Sequence, residues 1–260
     1  MGWKLVLLKK RIIPVQTLID GRLVKTIQFD KYRDVGNPIS SSKIYNDTDA
    51  DELIFLNISR DTRNINPLIN ILEKVSEVCF MPLSIGGGIN SFEDASNLIR
   101  NGADKIVINS IVYREYSLIK KISDTFGSQA VIVSIDIKYN SNLKLYELYS
   151  NCAKQKEKIN LFTHLEKCWK NGAGEFFINS IDRDGLMKGY EISLIKEVVN
   201  HTNIPVIACG GAGNFEHMLK AFNETDVSAL ACGSLFNFGD NNPLRAKSFL
   251  SNHRIPLKKI

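Results

Sequence analysis

Long hydrophobic runs, paired cysteines and blocks of like charge are all missing from this sequence. Its early apolar run, Leu5-Val6-Leu7-Leu8, stops at Lys9-Lys10-Arg11, far short of the roughly 20 residues that span a bilayer. Neither a transmembrane helix nor a signal peptide is therefore expected. The five cysteines, Cys79, Cys152, Cys168, Cys209 and Cys232, are odd in number and have no CxxC spacing. That argues against a disulfide framework and for reduced packing residues in a cytoplasmic protein. The four histidines, His164, His201, His217 and His253, are scattered, three of them on expected helices or loops away from strand ends. No metal site is expected, and surface positions are assigned to them. The net charge of +5 comes from dispersed lysines and arginines. Without a basic run interleaved with aromatics, it favours small anionic molecules over nucleic acid as ligands.

What is present is an ordinary globular composition, 44% apolar and 23% charged, and a regular alternation of strand and helix patterns. Strands are expected near 11–18, 52–58, 81–85, 105–109, 130–136, 175–179, 205–209 and 229–232. The strand at 52–58 is continuous in apolar residues, as parallel strands are. Helices are expected near 39–47, 66–78, after the capping-box sequence Ser91-Phe92-Glu93-Asp94, near 117–125, from Thr163, near 192–199, from Asn214 and after Pro243. Asp20-Gly21-Arg22 reads as a turn and 34–38 as a polar loop. Residues 138–158, with Asn140-Ser141-Asn142 between two β-like stretches, read as a hairpin beyond the fifth strand.

The chain also repeats itself. Residues 50–59 match 173–182 at an offset of 123, and Ser84-Ile85-Gly86-Gly87-Gly88-Ile89 matches Ile207-Ala208-Cys209-Gly210-Gly211-Ala212-Gly213 at the same offset. Ser110 pairs with Ser234 at 124, and Thr17 with Asp136 at 119. A near-constant offset over four strand pairs is what a duplicated half barrel gives. The expected fold is a single (β/α)8 TIM-barrel domain over 1–260, near the usual length of about 250 residues for that fold.

In such a barrel the C-terminal ends of the strands share one face. Apolar runs ending in glycines and leading into helices let backbone N–H groups approach an anion, although the same glycines also serve a plain tight turn. Two phosphate cradles are expected across the mouth, one from Gly88, Asn109 and Ser110, the other from Gly210, Gly211, Gly213, Gly233 and Ser234, with Asp184-Gly185 adding to the second. Asp136, after five mostly apolar residues, is the candidate acid or base, because burial raises a carboxyl pKa towards neutrality. Its pseudo-symmetric counterpart is Thr17; Asp182 and Asp184 are further candidates. At the opposite end Arg11, Glu52, Lys105 and Glu175 begin strands. They either stay solvated or converge as a charged ring in which burial demands mutual pairing.

Four stretches carry a family resemblance: Asp20-Gly21-Arg22-Leu23-Val24-Lys25, Phe126-Gly127-Ser128-Gln129-Ala130, Ser180-Ile181-Asp182-Arg183-Asp184-Gly185 and Gly210-Gly211-Ala212-Gly213-Asn214-Phe215-Glu216-His217. With them the chain resembles, over nearly its whole length, the HisF family, the cyclase subunit of imidazole glycerol phosphate synthase. The resemblance implies a barrel without cofactor or metal. It implies a HisH-like glutaminase partner docked at the barrel bottom against Asp104 and Gln129, and ammonia passing through a gate of Arg11, Glu52, Lys105 and Glu175. It also implies two phosphate sites, a loop lysine at Lys25 and a catalytic aspartate at Asp136. Three positions depart from the family pattern. Thr17 stands where the second catalytic aspartate belongs, Asn57 replaces an aspartate and Asn179 a threonine. Such departures resemble a divergent branch associated with sugar amidation for surface glycans, in which barrel and glutaminase supply ammonia to a separate amidotransferase. The alternatives are a working cyclase of histidine synthesis, with Asp182 or Asp184 assisting Asp136, and a non-catalytic scaffold that activates the glutaminase.

Overall fold

The computed structural model describes residues 9–59 and 64–258, so the apolar run at 5–8 lies outside the described residues. Eight parallel strands close on themselves: β1 (Arg11–Ile19), β2 (Leu53–Asn57), β3 (Leu83–Gly86), β4 (Lys105–Ile108), β5 (Val131–Asn140), β6 (Glu175–Ser180), β7 (Val206–Cys209) and β8 (Ala229–Cys232). Closure is direct, with Arg11 opposite Ala229 and Ile13 opposite Ala231 between β1 and β8. It leaves no open edge in the barrel. Helices α1 (Pro38–Asp47), α2 (Asn66–Val75), α3 (Phe92–Arg100), α4 (Ser117–Phe126), α5 (Leu161–Lys170), α6 (Ile192–His201), α7 (Phe215–Glu224) and α8 (Pro243–Asn252) alternate with the strands. The architecture is the (β/α)8 barrel that the repeat implies.

Period-two alternation sorts each strand into two faces. Outward residues such as Ile12, Phe55, Ile106 and Phe176 join the large cluster under the helices. Inward residues, among them Ile13, Val15, Ile54, Val107, Ile132 and Phe177, form a separate apolar cluster on the barrel axis. Helix starts are set by short polar side chains. Asn37, Asn160, Asn214 and Asn242 each cap a helix, and Ser91 with Asp94 makes the full capping box. Because Asn160 accepts from Phe162 N and Thr163 N, α5 begins at Leu161, two residues before the expected start.

Three features differ from the sequence expectation. Tyr32–Gly36 is a strand, not a loop, paired antiparallel with Arg22–Thr26. Its residues are mostly exposed, so no apolar alternation marks it, and a two-bond Arg22–Asp34 pair holds it instead. A one-turn helix, Ser234–Asn237, follows β8. His164 is not on the surface: it is 0% exposed on the inner face of α5 with Leu161, Leu165 and Cys168. It stacks on Tyr113 with ring centroids 4.3 Å apart, and Tyr116 Oη lies 2.7 Å from its Nδ1. Burial pulls its pKa down to about 3, so it packs as a neutral ring. His217 is half-buried, its Nδ1 accepting from Gly213 N, whereas His201 and His253 are exposed.

The last helix is locked to the barrel by a buried cation. Lys247 is wholly buried and its Nζ donates to Asp49 and Asp51, each at 2.8 Å. Lys247→Met is expected to destabilise the fold by about 3–5 kcal/mol, because it strands the buried Asp51 carboxylate. Asp49→Asn, at the more exposed partner, should cost much less. Urea titration of the two variants checks the order.

Candidate functional site

The starts of β1, β4 and β6, with Glu52 just before β2, bring the four charged residues together on the barrel axis. Arg11 donates to Glu52 at 2.9 Å and also pairs with Glu175. Lys105 Nζ reaches Glu52 at 2.8 Å and Glu175 at 3.2 Å. Two cations and two anions therefore neutralise one another in a closed ring. The Glu52 and Glu175 side chains are only 2% and 8% exposed, which only such pairing makes tolerable. Ser84, which no motif marks as part of the ring, completes it by donating to Glu52 Oε1 at 2.5 Å. Asp104 and Gln129 are exposed at this same end, as are Phe80 in the loop before β3 and Trp169 in the last turn of α5.

At the other end the strand termini surround a cavity of about 760 Å³. It is lined by Thr17, Lys25, Asn57, Asn109, Asp136, Asn179 and Asp184, by both glycine turns (Gly88, Gly210, Gly211), by Gly185 and Gly233, and by Ser110 and Ser234. Gly213 and Asp182 are not in the lining. Gly213 N donates to His217 Nδ1, and Asp182 is turned to the hairpin that extends β5, accepting from Tyr139 N at 2.7 Å.

Asp136 is the centre of the mouth. It projects inward from β5, 7% exposed, and burial raises its pKa to about 7, against the opposing hydrogen bond from Asn109 Nδ2 at 2.8 Å. Asn179 stands directly beside it in the register of β6 on β5. Thr17, on β1, donates its hydroxyl to Val24 O at 2.5 Å, so its proton is committed to the backbone. Asn57 is engaged with its own loop, donating to Asn64 O and accepting from Ser59 N.

Lys25 is not on a loop but on the strand Arg22–Thr26, 7% exposed. Its Nζ donates to Val15 O at 2.5 Å, and burial lowers its pKa to about 8 although Asp184 opposes the shift. A Cβ on Gly233 would sit 2.1 Å from that Nζ, so a side chain there would force the lysine out. Asp184 is itself raised by burial, against bonds from Thr26 and the charge of Lys25.

The Arg22–Thr26 and Tyr32–Gly36 hairpin folds over the mouth, its tip residues Phe29, Asp30 and Lys31 joining the lining. It is fastened to the loop after β6: Thr26 Oγ1 donates to Asp184 Oδ2 at 2.7 Å, Gln28 N to Asp184 O at 3.1 Å, and Gln28 Nε2 to Asp182 O at 3.2 Å. The hairpin and this loop meet so closely that a Cβ on Gly185 would lie 2.3 Å from Thr26 O, which explains the glycine after Asp184. Among the described residues no cluster of three or more His, Cys, Asp or Glu has metal-binding geometry, and no helix is long and apolar enough to cross a membrane.

Comparison with known proteins places these features in context. Residues 11–242 match the family model described as histidine biosynthesis protein. The chain is 39% identical over 252 residues to the imidazole glycerol phosphate synthase subunit HisF of Chloroherpeton thalassium, covering 97% of this chain and 100% of that one. It is 38% identical to HisF of Staphylococcus saprophyticus, with the same coverage. To HisF of Pyrococcus furiosus it is 39% identical, over 97% of this chain and 99% of that one.

Proposed function

Since the chain belongs to the histidine biosynthesis protein family and is a HisF-like barrel, we propose that it receives ammonia from a HisH-like glutaminase. We propose further that it passes this ammonia on for nitrogen transfer to a sugar in surface-glycan synthesis, not for cyclisation in histidine synthesis. The observation that carries this reading is the asymmetry of the mouth. Asp136 stands inward with a pKa near neutrality, while the residue across from it is Thr17, its hydroxyl bonded back to Val24 O. Cyclisation with cleavage needs an acid and a base on one substrate, and a threonine hydroxyl cannot take a carboxylate's part.

The remainder of the machinery supports ammonia handling. The gate ring is complete and neutral, and the axis above it is apolar, which suits a small uncharged molecule. The exposed Asp104, Gln129, Phe80 and Trp169 around the gate end offer a mixed polar and apolar face for a glutaminase. The glycine turns on opposite sides of the mouth suit a ligand with two phosphates.

A second reading, a working cyclase, draws support from Lys25 and Asp184, both buried beside the same cavity with pKa values moved towards neutrality. One assay separates the readings. The barrel is given the bis-phosphorylated ribonucleotide intermediate of histidine synthesis with ammonium salt, and loss of the intermediate is followed. The expected result is no turnover at a cyclase-like rate, and none after Thr17→Asp alone, because Asn179 still occupies the place beside Asp136. Turnover abolished by Asp136→Asn would overturn the proposal in favour of the cyclase. Failure of HisH-like glutaminases to bind the barrel or be stimulated by it would overturn both.

A further inference from the structure

Two polar atoms at the mouth are left over by every interaction described above. Asn109 Oδ1 and Asn179 Oδ1 are buried and have no hydrogen-bond partner. A buried acceptor left unmet costs about 1–3 kcal/mol, so two in one place mark a site whose ligand supplies donors. Their placement is not scattered. Asn109, Asp136 and Asn179 lie at the ends of three consecutive barrel strands, β4, β5 and β6. Asn179 is in register with Asp136, and Asn109 Nδ2 holds Asp136 Oδ2 at 2.8 Å. Asn179 is 7% exposed, and all three residues line the same cavity.

We propose that Asn109, Asp136 and Asn179 form a subsite for ammonium at the point where the barrel axis opens into the mouth. The chemistry of the set selects this ligand class. Its buried unmet atoms are two carbonyl oxygens beside a carboxylate, acceptors that suit a small species made only of N–H donors. One inward layer below the two asparagines are Val107 and Phe177 of the apolar axial cluster. A molecule travelling up that axis therefore meets Ser134, level with Phe177, and then these oxygens. Lys25, a buried cation of the same lining, does not fill the site. Lys25 Nζ is bonded to Val15 O and packed on Gly233, on the β8–β1 side across the barrel. Asp184, after β6, lines the same cavity. On arrival, neutral ammonia takes the proton that Asp136 holds, and the resulting ammonium is retained by the carboxylate and the two carbonyl oxygens. No other bond is made or broken.

That the natural occupant is ammonium rests on the ammonia-receiving function proposed above; the existence of the cation subsite does not. Rubidium, close to ammonium in size and visible by anomalous scattering, is therefore the probe. Crystals of the barrel soaked in rubidium chloride above the Asp136 pKa of about 7 are expected to show one peak touching Asn109 Oδ1, Asn179 Oδ1 and Asp136. The peak should fall when ammonium chloride is added and vanish in Asn179→Leu, with Asn179→Ala as the alternative should the larger side chain fail to fold. Absence of the peak, or a peak that ammonium does not displace, overturns the subsite. Rubidium bound there by a barrel that stimulates no glutaminase upholds the subsite and overturns the delivery function; a stimulated glutaminase with no rubidium does the reverse.

Discussion

Asp136→Asn is expected to make the protein more stable by roughly 4 kcal/mol above about pH 7.5, and to change its stability little near pH 4, on the scale of 1.36 kcal/mol per pKa unit. The sign follows from burial. In the unfolded chain this carboxyl titrates at its ordinary 3.8, whereas in the folded protein it titrates at about 7. Between those values the folded state holds a proton that the unfolded state has released, so the stability of the wild type falls as pH rises through that window. Above it, the full cost of a buried carboxylate is present. Asparagine never incurs that cost, and its carbonyl oxygen can still accept from Asn109 Nδ2, the bond that now measures 2.8 Å. Urea unfolding of both proteins at about pH 4.5 and about pH 8 checks the claim. An equal difference at the two pH values would mean that Asp136 is not held in a water-poor site. An engineered gain in stability bought at the residue most exposed to chemistry is the usual signature of a functional group kept under strain.

Glu52→Gln is expected to cost about 3–5 kcal/mol, the range seen when one partner of a buried ionic group is removed. Glu52 accepts from Arg11, Lys105 and Ser84 and its side chain is 2% exposed. Without its charge, two cations are left to share Glu175. Lys105→Met in the same chain should restore a large part of the loss, because the ring then balances as one cation against one anion. If the double variant is no better than the single one, the ring is not an electrostatic unit. Under the proposed function, Glu52→Gln should also weaken the coupling of glutamine hydrolysis to nitrogen transfer, read as free ammonium released per glutamine consumed.

How much of this was legible beforehand depends on which physical signal each residue carries. Buried parallel strands announce themselves as apolar runs, and the 123-residue offset between Gly88 and Gly211 tied those runs into two equivalent halves. That is why the barrel could be read without coordinates. Period-two alternation from Glu175 through Phe177 to Asn179 also put the charged ring and the mouth on one inward face of β6. The Tyr32–Gly36 strand was hidden because it is held by an Arg22–Asp34 pair and backbone bonds, with no buried stripe to betray it. His164 was misjudged because histidine was read by its chemistry and not by its position; the spacing 161, 164, 165, 168 is a helix face turned to the barrel. Lys25 was read as a loop lysine, while it stands on a strand of the hairpin and only its three-dimensional neighbours, Val15 O and Gly233, reveal the burial. The unmet oxygens of Asn109 and Asn179 have no sequence signal at all, since an unpaired atom is a property of surroundings.

The clasp between the β1 hairpin and the loop after β6 has a kinetic meaning. Four hydrogen bonds, from Thr26, from both the backbone and side chain of Gln28 and from Phe29 N, hold the cover down. At about 1 kcal/mol each, they would leave the uncovered form populated in about one molecule in a thousand. Residence time in the mouth is then governed by how often the clasp lets go, so two ligands of very different affinity could leave at the same rate.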